Sequence, residues 1–217
     1  MKSSPRDFIH DVDSIPFPDW DAIDVQGYAK ERRFSNNPAG PFMTVFSSRA
    51  CPFNCIYCHN IFGKKFRARS AGNVLEELTQ IHARFGIKEF EFVDDNFNHD
   101  KKRAMEILDA IPKAINNPRL LFPNGIRGDM MDDELAAAMG RAGVQYTAVA
   151  IESASPRIQK LTKKNLNIDK ARKAIEMLTR EGVMCHGFFM LGFPTETEEE
   201  ALSSVEFAHR SKLHTDR

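Results

Sequence analysis

The chain has 217 residues, 42% of them hydrophobic and 28% charged, and its 30 basic and 30 acidic side chains cancel to a formal net charge of zero. That length holds one domain with a substantial core, and the composition is that of an ordinary globular protein rather than a disordered or fibrous one. The charge balance argues against a nucleic-acid partner, and no run is apolar enough for a membrane span or a signal peptide, so a cytoplasmic protein with free thiols is expected.

Residues 1–41 read as a lead-in segment with little core of its own. Pro16, Pro18 and Pro38 interrupt it, and Asn36-Asn37-Pro38-Ala39-Gly40-Pro41 has loop chemistry. Regular structure is expected from Phe42 onward, in a core over 42–217. Residues 42–46 form a short β-prone run. After a cysteine-rich loop comes a helix with Val74, Leu75, Leu78, Ile81, His82 and Phe85 on one face and Gly86 at its end. Residues 90–93 read as a second strand, followed by a helix from Lys101 that turns Met105, Leu108, Ile111 and Ile115 inward. Residues 120–122 are a third strand, 132–142 a helix closed by Gly143, and 146–151 a fourth strand. A short helix and a longer one over 168–180 lead to Gly182, a fifth strand over 183–190 and a last helix over 196–209.

Strand and helix thus alternate five times, and strands read as apolar on both faces indicate parallel βαβ units. The fold class is α/β, either an open doubly wound sheet or a partial parallel barrel, and in both the site lies at the C-terminal strand ends. Polar residues gather there. The cysteine loop follows the first strand and Asp94-Asp95-Asn96 the second. Asn124, Arg127 and Asp129 follow the third, Glu152-Ser153 the fourth, and Gly192-Phe193-Pro194-Thr195-Glu196-Thr197 the fifth. Each taken singly is also a plausible helix cap or turn.

The stretch Cys51-Pro52-Phe53-Asn54-Cys55-Ile56-Tyr57-Cys58-His59-Asn60 has three readings. C-x-x-C-H is a haem attachment pattern, but nothing here directs export. A closed zinc site needs four ligands. His59 adjoins Cys58 too closely to share an ion with it, and Cys185 falls inside the fifth strand as a buried core residue. Three thiolates on a 4Fe-4S cluster leave one iron open, and an open metal position serves to receive a reagent.

C-x-x-x-C-x-x-C after the first strand of a βα repeat, with Tyr57 before the last cysteine, resembles the radical S-adenosylmethionine (SAM) enzymes. Asp13–Pro18 with Tyr28, Ser47–Phe53, Arg67–Ser70, Asp94–Phe97, Ile151–Ser155, Lys163–Asn165 and Gly192–Thr197 are similar to the cobalamin-associated branch. The resemblance implies a partial barrel of about five βα units, a 4Fe-4S cluster on Cys51, Cys55 and Cys58, and SAM at the open iron. It implies that Tyr57 flanks the adenine, and that Asp94 and Asp95 meet the methionyl amine. Glu152 and Ser153 then contact ribose or amine, Arg127 or Lys164 pairs with the carboxylate, and Gly192 lets backbone approach the adenine. It implies methylation or ring-forming chemistry on a small metabolite, with a flavodoxin- or ferredoxin-like electron donor. The basic run 64–69 is either that donor's dock or a solvated loop. Cobalamin is expected only through a missing domain or a partner. The sixth barrel strand is expected beyond Arg217, which reads as a C-terminally incomplete chain. The competing reading is a non-catalytic iron–sulfur or zinc module.

Overall fold

In the computed structural model, which describes residues 6–30 and 40–216, the alternation resolves into one parallel sheet with helices packed on it. The loop expected at 36–39 lies outside the described residues. In chain order the elements are α1 (Val25–Tyr28), β1 (Phe42–Val45), the two-residue strands β2 (Ser48–Arg49) and β3 (Arg67–Ala68), α2 (Ala71–Phe85), β4 (Glu89–Phe92) and α3 (Lys101–Ala114). Then come β5 (Arg119–Ile126), α4 (Asp133–Arg141), β6 (Val144–Glu152), α5 (Pro156–Leu161), α6 (Ile168–Arg180), β7 (Met184–Phe189), α7 (Glu198–Arg210) and β8 (Thr215–Asp216).

The main sheet runs β1-β4-β5-β6-β7-β8, with every neighbour parallel. A doubly wound sheet reverses its strand order at a switch point, which places helices on both faces. Here the order never reverses. Successive right-handed crossovers therefore leave the helices on one side, and the sheet curves as a partial barrel.

The helix-facing side is the core. Phe90, Phe92 and Phe122 pack there against Val74, Leu78, Ile81, Ile107, Leu108 and Ile111, and the rings of Phe92 and Phe122 stack with centroids 5.1 Å apart. Ala104 and Ile107 hold the centre of α3, while Met105 is only partly buried. The other face departs from the expectation of strands apolar on both sides. Registered neighbours Thr44, Glu91, Leu121 and Tyr146 share it, and Glu91 is fully buried. Caps sit where side-chain chemistry places them: Ser70 on α2, Asp132 on α4, Asn167 on α6, and a reciprocal Thr197–Glu200 box on α7.

Two segments differ from expectation. The lead-in contributes Val25 and Ala29 to the main core, and Trp20 packs against it. The sixth strand, expected beyond Arg217, is found within the described residues as β8, whose Thr215 and Asp216 register with His186 and Gly187. A two-residue pairing is made by backbone groups, so side-chain pattern gives no warning of it.

Candidate active site

The cysteine loop leaves β1 and returns to α2, and its base is pinned before any cofactor is considered. β2 and β3 pair antiparallel across it. Asp94, at the end of β4, is buried and accepts from the Ser47 amide (3.2 Å), the Ser47 hydroxyl (2.8 Å) and the Ser48 hydroxyl. Arg103 of α3 donates to the carbonyls of Arg69 (2.6 Å) and Ser47 (2.5 Å), so both ends of the loop hang on one helix. Burial pushes the Asp94 carboxyl up, and the two serines oppose that shift. Ala50, in the left-handed region at φ 71°, turns the chain into Cys51.

Cys51, Cys55 and Cys58 line one cavity of about 190 Å³ at the C-terminal end of the sheet. Asp95 and Asn96 reach it from β4, Asn124 and Arg127 from β5, Glu152 from β6, and Lys164 from the turn after α5. β5 runs past its expected end, and its register slips between Phe122 and Ile126, so Asn124 lies inside the strand. Its side-chain amide donates to the Val93 carbonyl at 2.8 Å and ties β5 to β4 at the cavity wall. Lys164 and Glu152 pair at 3.1 Å, with 9% and 13% of their side chains exposed. Glu152 is left-handed at φ 66°, as are Lys163 (56°) and Asn165 (49°) on either side of Lys164. Such backbone costs energy and persists where surrounding structure holds it.

Other residues singled out from the sequence fall outside this cavity. Asp94 is absent from its lining, being engaged with Ser47 and Ser48. Ser153 is also buried away from it, accepting from the Ser155 amide at 3.2 Å. Gly192 does not line it, and its amide donates to Glu196 at 2.6 Å. A Cβ at Gly192 would meet nothing within 4 Å, so φ 84° rather than a close neighbour calls for glycine there. The loop after β7 is accordingly a strand-to-helix turn, although Phe193 sets its ring 6.3 Å from Tyr57. The Tyr57 hydroxyl is buried without a hydrogen-bond partner, and burial followed by nearby Glu152 pushes its pKa up. His59 stands at the rim, 3.4 Å from Asp95.

Arg127 differs most from expectation. Its guanidinium lies 3.8 Å from the ring centroid of Phe53, sits 2.8 Å from Asp129, and donates to the carbonyls of Lys164 (3.0 Å) and Asn165 (3.2 Å). The basic run is likewise occupied. Lys64 donates to the Phe53 carbonyl (2.7 Å), Arg67 to those of Ile9 and Phe62 (both 2.8 Å), and Arg69 pairs with Glu77, leaving Lys65 as the exposed cation. It is not simply a solvated loop, because its arginines bind the lead-in and loop together. Asn96 and Phe53 were not singled out as site residues. Asn96 carried a signal in its place after β4, whereas nothing in the sequence links Phe53 to Arg127.

The donor set fits an iron–sulfur cluster. Burial raises the Cys51 thiol, and burial followed by neighbouring Cys55 raises Cys58 to about 11, a cost that a cationic metal centre reverses. Among the described residues, no three His, Cys, Asp or Glu side chains gather as they would around a single ion. In a 4Fe-4S cluster each thiolate meets its own iron. Cys185 is fully buried within β7 and is no fourth ligand.

A parallel partial barrel with three cysteines and an internal ion pair at its mouth is the build of a metallocofactor enzyme. The chain matches the Radical SAM superfamily over residues 45–208 and belongs to it. It is 35% identical over 208 residues to an uncharacterized methyltransferase of Pyrococcus horikoshii, covering 95% of this chain and 43% of that protein. It is 31% identical over 222 residues to the cytidylyl-2-hydroxyethylphosphonate methyltransferase of Streptomyces wedmorensis, covering 97% and 41%. Its fold is similar to that of the radical SAM methyltransferase TsrM from Kitasatospora setae with cobalamin and a 4Fe-4S cluster bound (TM-score 0.72, 18% identity, 87% of this chain and 40% of that one). At 18% identity that likeness is one of fold. The chain spans less than half the length of these curated relatives. No helix among the described residues is long and apolar enough to cross a membrane.

Proposed function

We propose that this chain is the core of a radical SAM enzyme that binds a 4Fe-4S cluster and SAM in the cavity at the sheet's C-terminal end. The observation that carries this reading is that three cysteines and the Glu152–Lys164 pair line one cavity. When bound, the cluster would supply the electron that cleaves the sulfonium and yields a deoxyadenosyl radical for hydrogen abstraction. Cys51, Cys55 and Cys58 would hold three irons. Asp95 and Glu152 would face the cationic amine and sulfonium, and Lys164 the methionyl carboxylate, because opposite charges in a poorly solvated cavity attract strongly. Tyr57 and Phe193 would wall the adenine. Asp94 and Ser153 serve this site by fixing loops rather than by touching the ligand.

Methylation of a small molecule or peptide is the favoured outcome, because both relatives named above are methyltransferases; ring formation on a small metabolite is the other outcome of the same chemistry. A low-potential flavodoxin- or ferredoxin-like protein would supply the electron in the cytoplasm, and cobalamin would come from a domain or partner outside these residues. Anaerobic reconstitution should load about four irons per chain, perturb the cluster spectrum on adding SAM, and yield 5′-deoxyadenosine under reduction. Variants with Cys51, Cys55 or Cys58 changed to Ala should lose all three. Tight zinc without a cluster would overturn the proposal.

A further inference from the structure

We infer that Arg127 is a positioning residue: it latches the turn at 163–165 onto the cysteine loop and so sets Lys164 against Glu152, without itself taking a ligand carboxylate. The inference deepens the proposed SAM site and rests on that reading for the ligand named in its test.

Lys164 reaches the cavity from a turn whose flanking residues, Lys163 and Asn165, both have left-handed backbone. Neither is glycine, so the turn needs external restraint. One restraint is the Ile56 amide, which donates to the Thr162 carbonyl at 3.0 Å and joins the turn directly to the cysteine loop. Arg127 supplies the next. One guanidinium nitrogen serves the carbonyls of Lys164 and Asn165, while Asp129, paired with Arg127, accepts from the Asn167 amide at 3.1 Å. The flat face of the same guanidinium lies against Phe53, between Cys51 and Cys55 in the chain.

Arg127 is itself held. Its amide donates to the Asn98 side-chain carbonyl (3.1 Å), and the Asn98 side-chain amide donates back to the Arg127 carbonyl (3.0 Å). A planar fork that stacks on a ring and bonds two carbonyls is work for which arginine is suited and lysine is not. The nitrogens that would grip a carboxylate side-on, Nε and Nη2, already meet Asp129 and the turn. Lys164, paired with Glu152, is the other cation lining the cavity.

Two measurements test this. In the unliganded chain, amide exchange at 162–167 and at Ile56 should quicken in Arg127→Ala and equally in Arg127→Lys. In the reconstituted protein, Arg127→Ala and Lys164→Ala should each weaken SAM binding about tenfold with iron content unchanged, and the double variant should be no weaker than Lys164→Ala alone. Unchanged exchange in Arg127→Ala, or rescue of protection and affinity by Arg127→Lys, overturns the latch. A double variant that loses the product of the two single effects overturns it as well, since Arg127 would then contact the ligand independently. If the wild type binds no SAM, the site proposal fails while the exchange experiment still decides the latch.

Discussion

Asn96 lines the cavity with a buried side-chain carbonyl oxygen that meets no donor. An unsatisfied buried polar group costs about 1–3 kcal/mol, and an apolar replacement of similar size relieves that cost. Asn96→Leu should therefore hold or raise the melting temperature while weakening SAM binding. A fall of more than about 4 °C, roughly 1 kcal/mol or more for a chain of this size, would mark Asn96 as structural instead. Cys185 is the opposite case. Burial raises its thiol to about 12 from 9.0, so the folded chain keeps a proton that the unfolded chain releases. That contribution is complete below pH 9 and fades as pH climbs toward 12. Native protein at pH 8 should leave Cys185 unlabelled by iodoacetamide, with labelling appearing only on unfolding.

The helices and strands were largely legible, because 3.6-residue periodicity and short apolar runs are direct marks of burial against a sheet. The adjacent pairs Asp94-Asp95 and Glu152-Ser153 show where that legibility stops. Only one member of each pair lines the cavity. Which one depends on bulges and on the left-handed turn at Glu152, and composition does not report these. Asp94 and Asp95 should accordingly behave differently. Asp94→Ala strips a buried acceptor from the Ser47 amide and the Ser47 and Ser48 hydroxyls and removes one of the carboxylates that face Arg103, a loss of about 1–3 kcal/mol. Its melting temperature and its iron content should fall together. Asp95→Asn should keep both and lower SAM affinity, which thermal melts and equilibrium binding will separate.

At the scale of the molecule, the lead-in acts as a strap rather than a tether. Arg67 is buried, stacks 4.6 Å from the Phe8 ring centroid and donates to the Ile9 carbonyl, while Asp13 accepts from the Ser70 amide at 2.9 Å. A Cβ on Gly63 would come within 2.8 Å of Phe8, so the cysteine loop and the strap are fitted to each other. Removing residues 1–18 should lower stability and reduce iron loading, read by thermal melt and iron assay. An unchanged iron content would mean the loop holds its shape alone.

The unreversed strand order also sets a timetable for synthesis. Parts of the site emerge from the ribosome in the order in which they stand across the sheet, with Cys58 early and Lys164 much later. At roughly 5–20 residues per second the delay is on the order of ten seconds. For that interval the thiols face the cell without Lys164 and without the turn that Arg127 latches. Cluster delivery is best placed after the turn at 163–165 has been made, and oxygen or a mismatched metal has its opening before then.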